Sequence, residues 1–569
     1  MLVFSVLLVP LLPLLTALTV TLGPDASRHL RAKIAAYPIG AAFCGAIATL
    51  YVVATQGPIA LRFYDPASAT SFAFPIGFYI DRLSAVMMVL ISGVGAIIYT
   101  YSVRYMYQDP HEPRYLALIG GATFVLLCMV SSANLMMLFL FWQLLSYLLY
   151  LLAHNHAHAG TLEGAFRTFT LLRVGDVAFL AGIVLAHSLY GTLEFQELFV
   201  RAAESTATVS PLPGIEIGGA TAVTLLLFIG GMSKSAQFPI FIWLPRSLYA
   251  PTPVHALLHA GIINAGGFLI NRLAPLFGLS STTLHVAFVV GTLTAILGAT
   301  MMLTQNDIKK TLGFSTIGQM GYMIMECGLG AFSLAVFHLI AHGLFKATVF
   351  LNCGNVIHKA RQEPHFPHAD HEEEEESFSR LTWSTGFVTT LFIPLLILLV
   401  THGVLRIPLL ESQGTVIFLF FIWITSSQAI LTLTRLRAVA SWKVSAAMLL
   451  TLLFIVFVYL FAVESFTAFL YPNPEEVASY FQAAALPNWL FDLIIVAATL
   501  MTVLGWSYLY LRAHGRAIWM PTWVEGVRIW LYVLFMNRLY VEQAYQRVGQ
   551  FIMRGLHRFD KRAQGWSQQ

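Results

Sequence analysis

Charged residues are scarce. Asp, Glu, Lys and Arg make up 11% of the 569 residues, where a soluble domain carries about 25%. That shortfall excludes a chain living wholly in water. The charge that exists is nearly balanced, with 32 Lys and Arg against 28 Asp and Glu, a formal net charge of +4, and no basic run. Nothing in that distribution supports a nucleic-acid partner. The four cysteines, Cys44, Cys128, Cys327 and Cys353, stand in apolar stretches without paired spacing. This argues against a disulfide framework or a thiol metal site, and all four read as small core residues. Phosphate-cradling glycine loops, heme-attachment patterns and nucleophile elbows are missing as well. Nothing here suggests bound redox chemistry, and no cofactor or metal is expected in the chain itself.

What is there in quantity is apolar: 57% of residues are hydrophobic and the mean hydropathy is +0.73. A membrane helix needs about 20 apolar residues. Such runs lie near 2–22, 34–54, 80–102, 115–132, 134–153, 164–189, 219–244, 254–276, 283–303, 311–328, 330–356, 381–402, 414–434, 443–463 and 487–511. The expectation is an all-α polytopic membrane protein of about 15 spans. The first run lacks a basic start and a small-residue cleavage site, and reads as a retained helix. Lys and Arg alternate between loops so that an N-terminus outside puts most of them inside. Arg28, Arg31, Lys33, Arg104, Arg114, Arg246, Lys309, Lys310, Lys359, Arg361, Arg435, Arg437, Lys443, Arg512 and Arg516 fall on that side. Arg82 and Arg272 break the bias. Beyond about residue 522 apolar and basic residues mix at helical spacing, as in an amphipathic helix on the membrane surface or against the bundle. Two histidine-rich stretches, His154 to His158 and His365 to Glu376, read as solvated loops because no scaffold spaces them as ligands.

A charge at mid-bilayer costs several kcal/mol unless paired or wetted, so each one is a candidate for function. Lys234 follows Gly230 and Gly231 and precedes Pro239 by five residues. Glycine and proline around a buried lysine indicate a broken helix lining a cavity. His255 and His259 share a helix face, and His338, His342 and Lys346 form a stripe at spacing four and four. Arg173 and Asp176, three apart, can pair within one helix. The alternative readings are satisfied core histidines, a lysine snorkelling from a helix end, and a self-neutralising pair that locks packing. Glu326 is a weaker candidate, and Asp307 reads as a helix cap.

From Asp81 to about Lys359 the chain resembles the antiporter-like subunits of respiratory complex I and of Mrp-type sodium/proton antiporters. The strings carrying this are IDRLSAVMMVLISGVGAIIYTYSVRYM, LLRVGDVAF, GGMSKSAQFPIFIWLP, APTPVHALLHAG, QNDIKKTLGFSTIGQMGYM and FHLIAHGLFKA. The resemblance implies two inverted five-helix repeats with broken helices and aqueous half-channels. It divides the chain into N-terminal helices (1–110), a first repeat (111–276), a second repeat (277–440), C-terminal helices (441–525) and an amphipathic helix with its tail (526–569). It implies that Lys234 is the first-channel lysine, His259 a connecting residue, and His338, His342 and Lys346 the central axis.

Two positions depart from the family pattern. The glutamate that pairs with the first-channel lysine is replaced by Gln143, leaving Asp176 as the nearest substitute. The twelfth-helix lysine is missing from LTWSTGFVTTLFIPLLILLVTHGV. These departures, the chain length and HAGIINAGGFLINRLAPLF are similar to a third branch, the DabB-type membrane subunits of two-component inorganic carbon transporters. Their partner, DabA, resembles a zinc β-carbonic anhydrase. The resemblance implies a bacterial inner-membrane subunit conducting H+ or Na+, with zinc held by the partner. A subunit of a Na+/H+ antiporter or of a proton-pumping NADH-quinone oxidoreductase is the second reading, and a non-conducting anchor the third.

Overall fold

The structure is a computed structural model. It describes residues 2–22, 28–64, 75–153, 159–246, 250–362, 442–513, 522–551 and 554. Both histidine-rich stretches and the expected spans at 381–402 and 414–434 lie outside the described residues.

The first part of the chain folds as α1 (Leu2–Thr21), α2 (Arg28–Ile34), α3 (Ala36–Gln56), β1 (Ile59–Tyr64), β2 (Ile76–Ile80), α4 (Arg82–Tyr105) and α5 (Glu112–Val130). Then come α6 (Leu135–Ala153), α7 (Ala159–Tyr190), α8 (Phe195–Glu204), β3 (Thr208–Leu212), β4 (Ile215–Gly218), α9 (Gly219–Lys234), α10 (Trp243–Arg246) and α11 (Thr252–Leu257). The remainder is α12 (Ala265–Arg272), α13 (Ala274–Phe277), α14 (Ser281–Leu303), α15 (Ile308–Gly328), α16 (Phe332–Gln362), α17 (Trp442–Leu470), α18 (Pro474–Ala484), α19 (Asn488–Ala513) and α20 (Thr522–Met536). Among the described residues nine helices are long and apolar enough to cross a membrane, and three shorter apolar helices accompany them.

The all-α expectation needs one correction. Two antiparallel hairpins, β1–β2 and β3–β4, interrupt the helices. The second turns at Gly214, whose φ of +84° suits glycine. Both hairpins are short, and only β2 of the first buries residues, Gly77 and Ile80, among those described, so their alternation is faint beside the long apolar runs. A second correction concerns the cysteines: Cys128, Cys327 and Cys353 are buried, but Cys44 is exposed on α3.

Lipid offers no hydrophobic drive between helices, so close backbone approach must hold them. Small residues provide it along α14 and α15. A Cβ on Gly298 would stand 2.4 Å from the Gly318 amide nitrogen, and one on Gly321 2.3 Å from that of Ala295. The same device joins α9 to α12, where a Cβ on Gly266 would stand 2.1 Å from the Gly231 carbonyl oxygen. Among the described spans the most enclosed runs over α11 and α12, from Thr252 to Arg272, and is almost wholly buried.

Helix starts follow local chemistry. Asp81 and Asp307 accept the backbone amides of Ser84 and Lys310, each at 2.9 Å, satisfying donors the first turn leaves open. The C-terminal amphipathic pattern forms α20, then turns at Asn537–Tyr540, where Arg538, Leu539 and Tyr540 have positive φ, before helical residues resume. Phe535, Val541 and Tyr545 rest against the core, so this segment packs on the bundle.

Candidate functional site

The helix carrying Lys234 ends at that residue. Ser235 to Pro239 leave the helical path, a 3₁₀ turn spans Ile240–Ile242, and α10 follows. Such a break frees backbone groups that lipid cannot satisfy. Side chains take them up: the Trp243 indole donates to the Ser233 carbonyl at 2.9 Å, Gln237 Nε2 to the Ser235 carbonyl at 2.9 Å, and the Phe238 amide to Thr294 Oγ1 at 3.0 Å. Lys234 therefore sits at a helix C-terminus, the end that favours a cation.

Lys234 is 1% exposed, and its ammonium is held by a polar cradle. Nζ donates to the Trp142 carbonyl at 3.1 Å and to the Ser146 hydroxyl, and lies 4.9 Å from the Trp142 ring centroid. Contact with an aromatic face contributes roughly 0.5–2 kcal/mol to holding a cation. Asp176 belongs to the same cluster but not as a direct partner. One oxygen accepts the Trp142 indole N–H at 2.8 Å, and the other pairs with Arg173 at 2.8 Å. Trp142 is thus the bridge, its indole on the carboxylate and its carbonyl on the lysine. Gln143 accepts from Arg173, whose guanidinium also lies 4.4 Å from the Phe169 ring centroid. The structure brings together Gln143, Arg173, Asp176 and Lys234. Trp142 and Ser146 complete the cluster; a tryptophan immediately before Gln143 in an apolar run was the available signal for the first.

The second break follows directly. After α11 the chain makes a π turn, Leu258–Ile262, before α12. Single π turns are rare and concentrate at functional sites. His255 and His259 straddle its start with ring centroids 6.3 Å apart, both fully buried. His255 Nε2 lies 3.0 Å from the Ala250 carbonyl. His259 lies flat against Phe350 of α16, with centroids 4.3 Å apart and planes 9° apart. Neither of its ring nitrogens has a hydrogen-bond partner among the described residues. Ser235 Oγ donates to the Ile263 carbonyl at 2.7 Å, so the first break is tied to the second.

The α16 stripe faces α15. His338 Nε2 meets Gln319 Oε1 at 2.9 Å, and Nδ1 lies 3.1 Å from a Glu326 carboxylate oxygen. Lys346 Nζ donates to Ser315 Oγ at 2.9 Å and to the Leu312 carbonyl at 3.4 Å. His342 stands between them, buried, with its ring 6.2 Å from that of His338 and neither nitrogen bonded to a described residue. Gly343 lets α16 close on the π turn: a Cβ there would stand 3.2 Å from the Ala260 carbonyl oxygen. The buried groups accordingly fall into a Lys234 cluster and a histidine–lysine axis, with His255 and His259 at the turn packed against α16. Imidazoles and amines of this kind can accept and release protons one at a time. Among the described residues no three His, Cys, Asp or Glu side chains are grouped to hold a metal ion.

Comparison with known proteins follows the same outline. Residues 132–431 match the family model described as NADH:quinone oxidoreductase/Mrp antiporter, and residues 67–116 the one described as NADH-ubiquinone oxidoreductase (complex I) chain 5 N-terminus. The chain is 39% identical over 564 residues to the probable inorganic carbon transporter subunit DabB1 of Halothiobacillus neapolitanus, covering 97% of this chain and 98% of that one. It is 35% identical over 323 residues to NADH-quinone oxidoreductase subunit L of Neisseria meningitidis, covering 56% of this chain and 48% of the relative. It therefore spans about half the length of that oxidoreductase subunit. In solved structures, a chain of the Mrp complex from Dietzia sp. superposes with a TM-score of 0.53 at 22% identity, over 98% of this chain and 57% of that one. A chain of the archaeal membrane-bound sulfane sulfur reductase gives 0.57 at 17% identity, over 84% and 99%. At those identities the likeness is one of fold.

Proposed function

The chain belongs to the NADH:quinone oxidoreductase/Mrp antiporter family of membrane subunits, and from that premise we propose that it is the cation-conducting subunit of an inorganic carbon accumulation pump. The supporting observation is one of extent: the likeness to an inorganic carbon transporter subunit covers 97% of the chain, whereas that to the oxidoreductase subunit covers 56%. In this reading a proton, or Na+, enters toward Lys234 and passes by way of His259 to the axis of His338, His342 and Lys346. The Arg173–Asp176 pair and the Trp142 bridge set the charge around Lys234. Gln143 cannot titrate, and it anchors Arg173 in place of the pairing expected from the family's glutamate.

The finer architecture belongs to the same proposal: about 15 spans, two inverted repeats, the N-terminus outside and a bacterial inner-membrane location. So does the partner, a DabA-like subunit carrying zinc and carbonic-anhydrase-like chemistry, energised by cation flow through this chain. The match to a family model shared with Mrp antiporters keeps one other reading in view, a subunit of a multi-subunit antiporter or oxidoreductase. Purification from the native membrane in mild detergent, followed by mass spectrometry of what accompanies the chain, separates the two. A single large zinc-containing subunit is expected; a set of respiratory or antiporter subunits would replace the proposal with the second reading.

A further inference from the structure

Far from the buried axis in character, a cleft of about 610 Å³ opens between the α2–α3 segment and α4. That volume lies within the range of ligand pockets, roughly 300–1,000 Å³. Its charge is of one sign. Lys33 and Arg104 line it, both are exposed, and neither pairs with a carboxylate among the described residues. His29 forms part of the wall, its ring edge-on to Tyr107 with centroids 4.7 Å apart. Of the acids nearby, Glu112 is buried and already engaged by Arg28 and His29, each at 3.8 Å, and Asp109 accepts the His111 amide at 2.8 Å. The rest of the lining is largely apolar, with Ala36 and Val103.

The cleft also continues in a definite direction. A Cβ on Gly93 would stand 2.9 Å from the Phe43 ring and the Tyr99 hydroxyl donates to the Ala32 carbonyl at 3.2 Å, so the α2–α3 segment and α4 run antiparallel. Lys33 is then level with Arg104, and Ala36 with Thr100. One turn further along, Gly40 has nothing within 4 Å of a Cβ and Ile97 is 58% exposed. A cationic mouth thus leads into an apolar seam that runs along two helices toward the middle of their length.

We propose that this cleft binds the headgroup of an anionic phospholipid, its phosphate between Lys33 and Arg104 and an acyl chain along the Gly40–Ile97 seam. Basic pockets between helices at a membrane face recognise such headgroups. A free phosphate ion shares the headgroup chemistry but has no use for the seam.

The test uses the full chain in mild detergent, titrated separately with phosphatidylglycerol, phosphatidylcholine and inorganic phosphate, and read by native mass spectrometry. Phosphatidylglycerol should bind at least about tenfold more tightly than phosphatidylcholine, each basic group supplying roughly a fivefold factor. The double variant K33Q/R104Q should lose that preference. Thr100→Trp, which fills the cleft and keeps both charges, should weaken phosphatidylglycerol binding as well. Equal binding of the two lipids by the unaltered chain would overturn the proposal without recourse to any variant. So would a preference that survives K33Q/R104Q, or inorganic phosphate displacing phosphatidylglycerol at equal concentration.

Discussion

Arg272 is 5% exposed, and both terminal nitrogens of its guanidinium are hydrogen-bonded. Asp81 grips it with two bonds of 2.7 and 3.1 Å, the Ser84 hydroxyl accepts a third, and the rings of Tyr79, Phe195 and Phe268 lie around it. Removing one partner of such a pair leaves a charge buried without compensation. Asp81→Asn should therefore cost about 3 kcal/mol, the lower end for a buried pair because Asp81 keeps some exposure. Thermal unfolding in detergent reads this, and Arg272→Met added to Asp81→Asn should restore most of it. A single variant as stable as the parent would show that the pair is dispensable. This pair also explains why Arg272 departs from the loop-charge bias. Arg82 departs for a similar reason, since it donates to the Phe469 carbonyl at 2.6 Å. The sequence displays Lys234 and the His338–Lys346 stripe plainly, because an ionisable group stands out in an apolar run. It hides Asp81–Arg272, since an aspartate at a helix start reads as a cap and its partner lies 191 positions away. Glu326 was faint for the same reason: its histidine is on the next helix, and only packing brings them together.

At the scale of elements, the two broken helices depend on each other. Gly231 and Gly266 allow the crossing of α9 and α12, and Ser235 reaches the Ile263 carbonyl across it. Gly266→Val would place carbon against the Gly231 carbonyl and the Ser235 hydroxyl, with no flexible side chain on the glycine to yield. Overpacking of this kind costs about 1–3 kcal/mol. The variant should lower the unfolding temperature and the yield of folded protein. Gly121→Ala, with nothing within 4 Å of the new carbon, should leave both unchanged. Equal behaviour of the two variants would mean that the crossing is looser than the structure has it. The first break was legible from Gly230, Gly231 and Pro239. The π turn was not, because LLHAGI satisfies ordinary helical spacing and only the approach of α16 distinguishes it. The C-terminal segment was legible as amphipathic, but not its turn at Leu539 nor its target. Tyr545 donates to the Pro239 carbonyl at 3.2 Å and Glu542 lies 3.9 Å from Arg167, so the segment lies over the first break.

Over the whole molecule, an end-to-end likeness to a carbon transporter subunit accompanies a buried set of titratable groups in two clusters. An anchor has no reason to bury Lys234, His259, His342 and Lys346 at the cost that apolar surroundings impose. The overall helical class was readable because hydropathy follows the bilayer's thickness directly. Which cation moves, and what that movement drives, is not carried by any periodicity. The most direct measurement is accumulation of radiolabelled inorganic carbon by native cells in which the chain is unaltered or carries Lys234→Ala or Lys346→Ala, with membrane content of the protein matched by immunoblot. The account predicts that each variant slows accumulation at least about a hundredfold, the scale of a lost proton-transfer group. Undiminished accumulation with both lysines replaced would contradict it and leave the chain an anchor.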